Sequence, residues 1–305
     1  MELKRITPRD FAVYKPYFLD QRYRLCDYAL ASIIAWQNQY YHPRVGVWDG
    51  FLVVGAEFTQ APNKRHLMMP IGPQQAELPP EALAALAREA GYRRIWFVPR
   101  CYLDTHGEDA VAASFKIRRE PELDDYIYRR EDLAELAGGK YAKKRNLIRQ
   151  FTRSHVETGR VSVGPITKDD VADCIDYLDI WCASRVCDAQ MEEDLACERD
   201  AAINTLENLD LLEVKGLHLR IDGRVKAFGV AARLTDDMAT LQYEKADAEI
   251  KGLYQYFDQQ CARQLFNGYT YINKESDLGI AGLAKSKRSY YPVKMIKAYR
   301  LALKT

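Results

Sequence analysis

Hydrophobic and polar residues alternate along this chain with two periods, and the period changes from one segment to the next. Residues 45–58 and 216–233 alternate every two positions, and each segment is interrupted by an Asp-Gly pair. This pattern predicts two β-hairpins, turned at Asp49-Gly50 and at Asp222-Gly223. Apolar residues spaced three and four apart, as at Leu83, predict amphipathic helices between the strands.

The same order of predicted elements occurs twice along the chain. Each half reads as strand, helices, Asp-Gly hairpin, strand, helix, strand, helix and strand. Strands connected by helices in this way predict a mixed central sheet with helices on both faces. Because 305 residues exceed the usual size of one core, we predict an α/β fold (α+β mixed sheet) with two domains, residues 1–135 and 157–305. A basic connecting helix at 136–156 would join them.

Composition excludes several classes of protein. The net charge is +1, so any attraction to nucleic acid or membrane must be local. No apolar run approaches the roughly 18 to 20 residues of a membrane span, and the N-terminal residues lack the apolar stretch of a signal peptide. The seven cysteines follow no disulfide or metal spacing. We therefore expect a cytoplasmic protein with reduced cysteines and no metal site.

Residues 241–292 carry the strongest candidate chemistry, because two turns there follow strands and open helices. The first N–H groups of a helix are unpaired and suit an anion or a carbonyl oxygen. The first turn supplies a candidate phosphate site for an activated donor, made by Lys251, Gly252, Leu253 and Tyr254. The alternative is an ordinary junction between a loop and a helix.

A second group of polar residues ends the next predicted strand. Alternation along that strand sends Tyr271 and Asn273 to the same face, and Lys274 follows them. We predict that these three residues also contact the donor.

Three carboxylates are candidates for a general base that removes a proton from an acceptor amine. Glu275 and Asp277 follow the second strand, although Asp277 suits the role of a helix cap. Glu244 ends the preceding strand, and its alternative is a surface carboxylate paired with Lys245.

A strongly basic segment precedes the second half. No Asp or Glu occurs between Glu135 and Glu157. Its cations could hold the phosphates of tRNA or of an anionic lipid without reading bases. The alternative is a solvated linker helix. The candidate polyanion-binding residues are Lys140, Lys143, Lys144, Arg145 and Arg149.

An acidic segment at 188–210 has the opposite character. Its carboxylates, among them Glu192, Glu193, Asp194 and Glu198, could recognise a cationic amino acid or a polyamine. A solvated helix face is the alternative, and it is favoured.

Two segments resemble a known family. GKYAKKRNLIRQF (139–151) and YINKESDLGIAGLAKSKRSYYPVKMIKAYRL (271–301) resemble the domain of bacterial phosphatidylglycerol lysyltransferases and its stand-alone relatives. That group is a tandem arrangement of the GNAT acyltransferase fold, and the order of elements in the second half resembles the same fold. Two features depart from the resemblance, since this sequence has no membrane-spanning segment and its loop 249–254 has a single glycine.

The resemblance implies a fold, a reaction and two further candidate residues. In the GNAT fold two central strands splay apart, and the donor pyrophosphate sits at the helix after the first of them. A tyrosine near the end of the second helix commonly acts as general acid, which implies Tyr290 or Tyr291, with packing as the alternative role.

We expect an acyltransferase of the aminoacyl type without a tightly bound cofactor. Aminoacyl-tRNA or acyl-CoA would be the co-substrate, so tRNA is an expected partner. The acceptor would be an amine or a hydroxyl on a small molecule or a lipid. The alternatives are a CoA-dependent N-acyltransferase and a non-catalytic module that binds RNA or an anionic ligand.

Overall fold

Two mixed β-sheets organise the molecule. A computed structural model describes residues 1–184 and 189–304, and it describes the side chains of all of these residues except 189–197. The strands of the first half are β1 (Lys4–Arg5), β2 (Tyr41–Trp48), β3 (Phe51–Phe58), β4 (His66–Leu67), β5 (Arg94–Pro99), β6 (Phe115–Arg119) and β7 (Asp125–Arg129). Those of the second half are β8 (Val161–Pro165), β9 (Lys215–Ile221), β10 (Arg224–Arg233), β11 (Met238–Ala246), β12 (Tyr271–Asn273), β13 (Lys294–Ile296) and β14 (Ala298–Leu303).

Helices pack around these sheets. In the first half they are α1 (Phe11–Leu19), α2 (Leu30–Ala35), α3 (Pro80–Glu89), α4 (Arg100–His106), α5 (Glu108–Ser114) and α6 (Arg130–Glu135). The later helices are α7 (Ala142–Phe151), α8 (Val171–Ala183), α9 (Ala189–Glu207), α10 (Leu253–Gln264) and α11 (Ala281–Arg288). A π-helical turn, Thr152–Val156, extends α7. None of the helices described is both long and apolar enough to cross a membrane.

The two sheets repeat one pattern of strand pairing. The first sheet has the order β1-β2-β3-β4-β5-β14-β6, and the second has the order β8-β9-β10-β11-β12-β7-β13. In each sheet the fourth and fifth strands pair in parallel, β4 with β5 and β11 with β12, and every other pair is antiparallel. The predicted α/β fold with mixed sheets is confirmed.

The sixth strand of each sheet comes from the other half of the chain. Strand β14 lies between β5 and β6 in the first sheet, whereas β7 lies between β12 and β13 in the second. The last strand that the pattern predicts for the second half, residues 295–303, therefore belongs to two strands in two different sheets, β13 and β14. The predicted domain boundaries at 135 and 156 stay a prediction. Each sheet takes one strand from the other side of these boundaries, β14 in the first sheet and β7 in the second.

Local sequence signals explain many of these elements. Both predicted hairpins form, and Asp49 and Asp222 adopt the positive φ of the turns that their glycines favour. Thr7 and Thr167 each form a capping box with an aspartate three residues on, which fixes the starts of two helices. Apolar residues at helical spacing over residues 28–40 predict a helix there, and the helix that forms, α2, is shorter and ends at Ala35.

Candidate functional site

A gap opens in the second sheet where its two parallel strands separate. Strands β11 and β12 pair only over three residues, ending at Thr240 and Asn273. Beyond this point β11 continues to Ala246 along β10, whereas β12 has ended. The polar residues predicted at both strand ends therefore lie next to this gap.

A β-bulge marks the same place on β11. Tyr243 pairs with Val230 and Leu241 pairs with Ala231, so Gln242 is the extra residue between them. A bulge leaves its extra residue outside the regular ladder and re-aims nearby groups. The Gln242 side chain donates to the Ser32 hydroxyl at 2.6 Å, which ties the bulge to α2.

The side chains of Lys274, Glu244 and Asp258 meet at the gap. Together with Tyr290 we call them the lysine cluster. Lys274 Nζ lies 3.0 Å from Glu244 Oε2 and 2.6 Å from Asp258 Oδ1, which comes from α10. The side chain of Asp258 is 5% exposed. Glu244 is thus not a surface carboxylate paired with Lys245, because Lys245 binds Glu198 at 2.6 Å instead.

Burial gives this cluster its electrostatic character. Burial and the neighbouring Asp258 raise the pKa of Glu244 to about 7, although Lys274 opposes the shift. Burial alone would lower the pKa of Lys274, but the negative charges of Asp258 and Glu244 hold that pKa well above its ordinary value. Glu244 therefore changes protonation near neutral pH while Lys274 stays charged.

Tyr290 closes the cluster from the end of α11. Its ring lies 5.3 Å from Lys274 Nζ and 3.7 Å from Lys144 Nζ. Burial, and then Asp258, raise the pKa of the Tyr290 hydroxyl well above its usual value, so it keeps its proton. Tyr291, by contrast, is 46% exposed and packs its ring on Tyr141.

A second group of carboxylates lies between the second sheet and the first half of the chain; we call Asp27, Asp125 and Glu275 the carboxylate cluster. Asp125 Oδ2 accepts hydrogen bonds from the Cys26 N–H at 2.6 Å and from the Asn273 amide at 2.7 Å. Glu275 accepts one from the Thr240 hydroxyl at 3.3 Å.

The carboxylate cluster holds protons that exposed carboxyl groups would have lost. Burial raises the pKa of Asp27 to about 8, with Asp125 adding to the shift. Burial likewise raises the pKa of Asp125 to about 6 and that of Glu275 to about 8. Near neutral pH Asp27 and Glu275 therefore keep their protons, whereas Asp125 is mostly ionised and accepts its hydrogen bonds as an anion.

One lysine joins the two clusters. Lys287, on α11, donates from Nζ to the backbone oxygens of Lys274, Glu275 and Ser276 at 2.5, 3.1 and 2.5 Å. Glu275 has φ +58°, a left-handed conformation that costs energy for a residue with a Cβ. Lys287 therefore holds the turn that directs Lys274 to one cluster and Glu275 to the other.

Comparisons with known proteins identify the family of this chain. The family model described as phosphatidylglycerol lysyltransferase, C-terminal, matches residues 22–302. This chain belongs to that family. The resemblance inferred from the sequence is confirmed.

Solved structures extend the comparison. A conserved protein of unknown function from Bacteroides thetaiotaomicron is 29% identical, with a TM-score of 0.88 and coverage of 100% of both chains. The DUF2156 C-terminal domain assigned to a lysylphosphatidylglycerol synthetase from Agrobacterium fabrum is 17% identical, with a TM-score of 0.58, covering 92% of this chain and 89% of that chain. A tandem GNAT protein from the clavulanic acid biosynthesis pathway also matches, at 10% identity and a TM-score of 0.48, covering 99% of this chain and 98% of that chain. The search of curated proteins gave no match.

In this lysyltransferase-family chain, several residues of the predicted donor turn pack against neighbouring helices. Gly252 has φ +84°, and a Cβ placed there would lie 2.3 Å from the backbone oxygen of Leu147 on α7. Leu253 is buried, and the Tyr254 hydroxyl accepts a hydrogen bond from the Trp181 indole at 3.1 Å. Lys251 is exposed beside a cleft of about 430 Å³ between this turn and the π-helical turn.

The remaining donor candidates divide between the two sides of β12. Asn273 is buried in the carboxylate cluster and also donates to the backbone oxygen of Arg24 at 2.9 Å. Tyr271, half-buried at the start of β12, lies beneath the Arg24 guanidinium. Lys274 is the donor candidate that reaches the lysine cluster.

The predicted polyanion-binding residues on the basic helix have two kinds of environment. Lys144 donates to the Ser289 hydroxyl at 2.7 Å, and Arg145 donates to the backbone oxygen of Gly138 at 2.6 Å. Both side chains are thereby committed to contacts within the protein. The exposed residues of the set are Lys140, Lys143 and Arg149.

The other predicted residues are placed as follows. Asp277 does act near the start of α11, since its carboxylate accepts the Gly279 N–H at 2.9 Å. In the acidic segment, Glu192, Glu193 and Asp194 lie outside the residues whose side chains are described. Glu198 binds Lys245, as noted above.

The first sheet has a corresponding gap between β4 and β5, and it is closed. Tyr28 is fully buried there, and its hydroxyl donates to the Phe97 backbone oxygen at 2.9 Å while accepting the Met69 N–H at 3.0 Å. One side chain thus satisfies the backbones of both separated segments. The open gap, with its charged clusters, belongs to the second sheet.

Several residues of these clusters were not predicted from the sequence. Asp258 had a readable signal, because it lies beside Phe257 on the face of α10 that buries Cys261 and Ala262. A carboxylate on an apolar face needs a partner. Lys287 occurs among polar neighbours and had no comparable signal. Asp27 lies between Cys26 and Tyr28, and Asp125 precedes Tyr126, but nothing in the sequence indicates that both approach Glu275 in the folded chain.

Proposed function

We propose that this chain is an acyltransferase that passes an aminoacyl group from aminoacyl-tRNA to an amine or hydroxyl acceptor at the gap between β11 and β12. The observation that carries the proposal is the lysine cluster, which sets a titrating carboxylate and a protonated tyrosine around one ammonium at that gap. Family membership supports acyl transfer as the class of reaction.

The proposed reaction uses two residues for proton transfer. The acceptor nitrogen or oxygen attacks the acyl carbon of the donor ester, forming a new C–N or C–O bond. Glu244 takes the proton that the acceptor loses, which its pKa of about 7 permits near neutral pH. The bond between the acyl carbon and the ribose oxygen breaks, and that oxygen receives the Tyr290 proton. Lys274 stays charged and orients both groups.

The bulge supplies the third element of the proposal. The carbonyl oxygen of the donor gains negative charge as the bond forms, and backbone N–H groups fixed beforehand stabilise such charge most effectively. Gln242 stands outside the regular ladder at the gap, and α2 holds its side chain. We assign its backbone N–H to the carbonyl oxygen of the donor.

The surroundings of α10 favour a tRNA donor over CoA. A pyrophosphate at the start of α10 would approach Gly252, where the Leu147 carbonyl oxygen already lies within packing distance and repels anions. The exposed cations Lys143 and Arg149 on α7, with Lys140 just before it, instead supply spaced positive charges that suit the phosphates of a nucleic acid. CoA remains the second candidate because Lys251 is exposed beside the nearby cleft.

Two variants test the proposal. Lys143→Glu combined with Arg149→Glu should weaken binding of charged tRNA by at least about tenfold at 150 mM salt, because phosphate contacts are lost. The same loss should make the affinity for tRNA less dependent on salt concentration. The matched control reverses two exposed lysines elsewhere, Lys64→Glu with Lys116→Glu. Glu244→Gln should leave tRNA binding intact but slow release of labelled amino acid from the donor by about 100-fold or more.

The outcomes separate the alternatives. A melting temperature raised by acyl-CoA, and unmoved by charged tRNA, would replace the aminoacyl proposal with the CoA-dependent one. Binding of charged tRNA with no release of amino acid, in wild type and Glu244→Gln alike, would identify a binding module without catalysis.

A further inference from the structure

The start of α7 contacts the residues directly after α11 through two side chains. Lys144 donates from Nζ to the Ser289 hydroxyl at 2.7 Å, and the same Nζ lies 3.7 Å from the centre of the Tyr290 ring. The Tyr141 hydroxyl donates to the Tyr290 backbone oxygen at 3.0 Å, and the Tyr141 ring packs against Tyr291. These contacts hold the residue that gives up its proton in the proposed reaction.

Tyr290 lies where the loss of its proton is unfavourable. The residue is 8% exposed, and burial, followed by Asp258, raises the pKa of its hydroxyl well above the usual value. When the leaving oxygen of the donor takes the proton, a phenolate stays behind inside the protein. A buried anion costs free energy unless a cation or a hydrogen-bond donor lies near it. Tyr290 therefore needs positive charge close to its ring to act as a general acid.

Four elements bring charged groups toward Tyr290. After burial, Asp258 from α10 and Glu244 from β11 raise the pKa of the Tyr290 hydroxyl. Lys274, just after β12, opposes them from 5.3 Å, but it already pairs with both carboxylates. Lys144 from α7 is nearer to the ring, and it donates to a neutral hydroxyl rather than to a carboxylate. Of the two lysines, Lys144 is thus the one whose charge is directed at the ring.

We propose that Lys144 is a positioning residue that holds Tyr290 in place and supplies positive charge beside its ring as the proton leaves. This role rests on the proposed function, because it serves the general acid of that reaction. A cation over an aromatic ring is attracted to the ring, and it attracts a phenolate more strongly than a neutral phenol. Lys144 therefore stabilises Tyr290 more after proton transfer than before it, which is the condition for a faster reaction.

Lys144 differs in its surroundings from the other cations of α7. Lys143 and Arg149 are exposed, and the proposed function gives them the phosphates of the donor. Lys144 is half-buried, and burial lowers its pKa from the ordinary value, although Asp258 and Glu244 oppose the shift. Its hydrogen bond and its ring contact are both made within the protein. One helix thus carries exposed cations for the donor and a half-buried cation for the general acid.

Lys144→Met tests this role in the full chain, because methionine keeps an apolar stem and removes the charge. Transfer of labelled amino acid from charged tRNA should show kcat lowered by at least about tenfold, with KM within about twofold of wild type. Lys144→Arg keeps a cation near the ring, so its kcat should lie within about threefold of wild type. Lys285→Met, at an exposed position of α11, is the matched control and should leave kcat unchanged.

A double-mutant cycle shows whether Lys144 acts through Tyr290. Tyr290→Phe alone should slow transfer by about 100-fold, and adding Lys144→Met should slow it by no more than about twofold further. Independent roles would instead multiply to about 1,000-fold or more. Carbon NMR of isotope-labelled tyrosine follows the contact without any reaction, since the signal that Tyr290→Phe removes should shift in Lys144→Met. Should Lys144→Met fail to fold, Ser289→Ala removes only the hydrogen bond and should lower kcat by about threefold.

Different results overturn this role and the proposed function. Multiplied losses in the double variant, an equal loss in Lys144→Arg and Lys144→Met, or an unchanged kcat in Ser289→Ala would show that Lys144 does not support Tyr290 in this way. A raised KM with kcat unchanged would return Lys144 to the residues predicted to bind the phosphates of the donor. A wild-type chain that transfers no aminoacyl group would overturn the proposed function, and the role of Lys144 with it, even if the NMR signal shifts.

Discussion

Replacing Glu275 by glutamine should make the protein more stable at alkaline pH. The variant keeps an acceptor oxygen for the Thr240 hydroxyl and leaves the hydrogen bonds of Lys287 intact, because those bonds go to backbone oxygens. It removes only the capacity of residue 275 to become a buried anion.

The expected magnitude follows from the pKa of Glu275. Burial raises that pKa from an ordinary 4.5 to about 8 in the folded chain. Between those two values the folded state binds the proton that the unfolded state has released, so stability falls as pH rises. Each pH unit contributes about 1.4 kcal/mol, which gives an upper limit of about 5 kcal/mol. The loss is complete above about pH 8 and absent below the unfolded value.

Urea denaturation followed by tryptophan fluorescence at pH 5.5 and pH 8.5 measures the effect. The advantage of the variant over wild type in free energy of unfolding should be larger at pH 8.5 than at pH 5.5, by up to about 3.4 kcal/mol, because about 2.5 pH units of the titration range lie between the two measurements. Glu131→Gln, at an exposed position, is the control and should leave the curve of wild type unchanged. Parallel curves for Glu275→Gln and wild type would refute the assignment of a buried, protonated Glu275.

Two further predictions concern packing and catalysis. Gly252→Ala should destabilise the chain by about 2 kcal/mol or more, because its positive φ and the nearby Leu147 oxygen both oppose a Cβ. Gly268→Ala shares the positive φ but meets no atom within 4 Å, so thermal melting should show a smaller loss; equal losses would contradict the packing argument. Tyr290→Phe should slow acyl transfer by about 100-fold, whereas Tyr291→Phe should leave the rate near that of wild type. A slow Tyr291→Phe variant beside an unaffected Tyr290→Phe variant would assign the general acid to Tyr291 instead.

Short-range chemistry made much of the fold predictable. The Asp-Gly pairs and the apolar periods depend on neighbours in the sequence, and the Asp-Gly pairs located both hairpins correctly. The exchange of β7 and β14 was not predictable in this way. A two-residue period shows that a segment is a strand, but it does not show which sheet the strand joins.

In the candidate site, too, single residues were predictable from the sequence, whereas their contacts with one another were not. Glu244 and Lys274 were identified as candidates because strand ends expose polar groups. Tyr290 was a candidate, together with Tyr291, because the family resemblance implied it. Their grouping around one ammonium depends on Asp258, which lies on a helix and reaches the others only after folding. Lys251 and Gly252 were chosen for the chemistry of a helix start, a local property that could not reveal the carbonyl of α7 against Gly252.

The exchanged strands also set the order in which the chain can fold during synthesis. Residues 298–303 fill the place between β5 and β6, so the first sheet stays incomplete until these residues have left the ribosome. Most proteins let their early domain fold while later residues are still being made. Here the early half would wait with an open slot between two strand edges, which is the kind of surface that pairs with other chains and that chaperones cover.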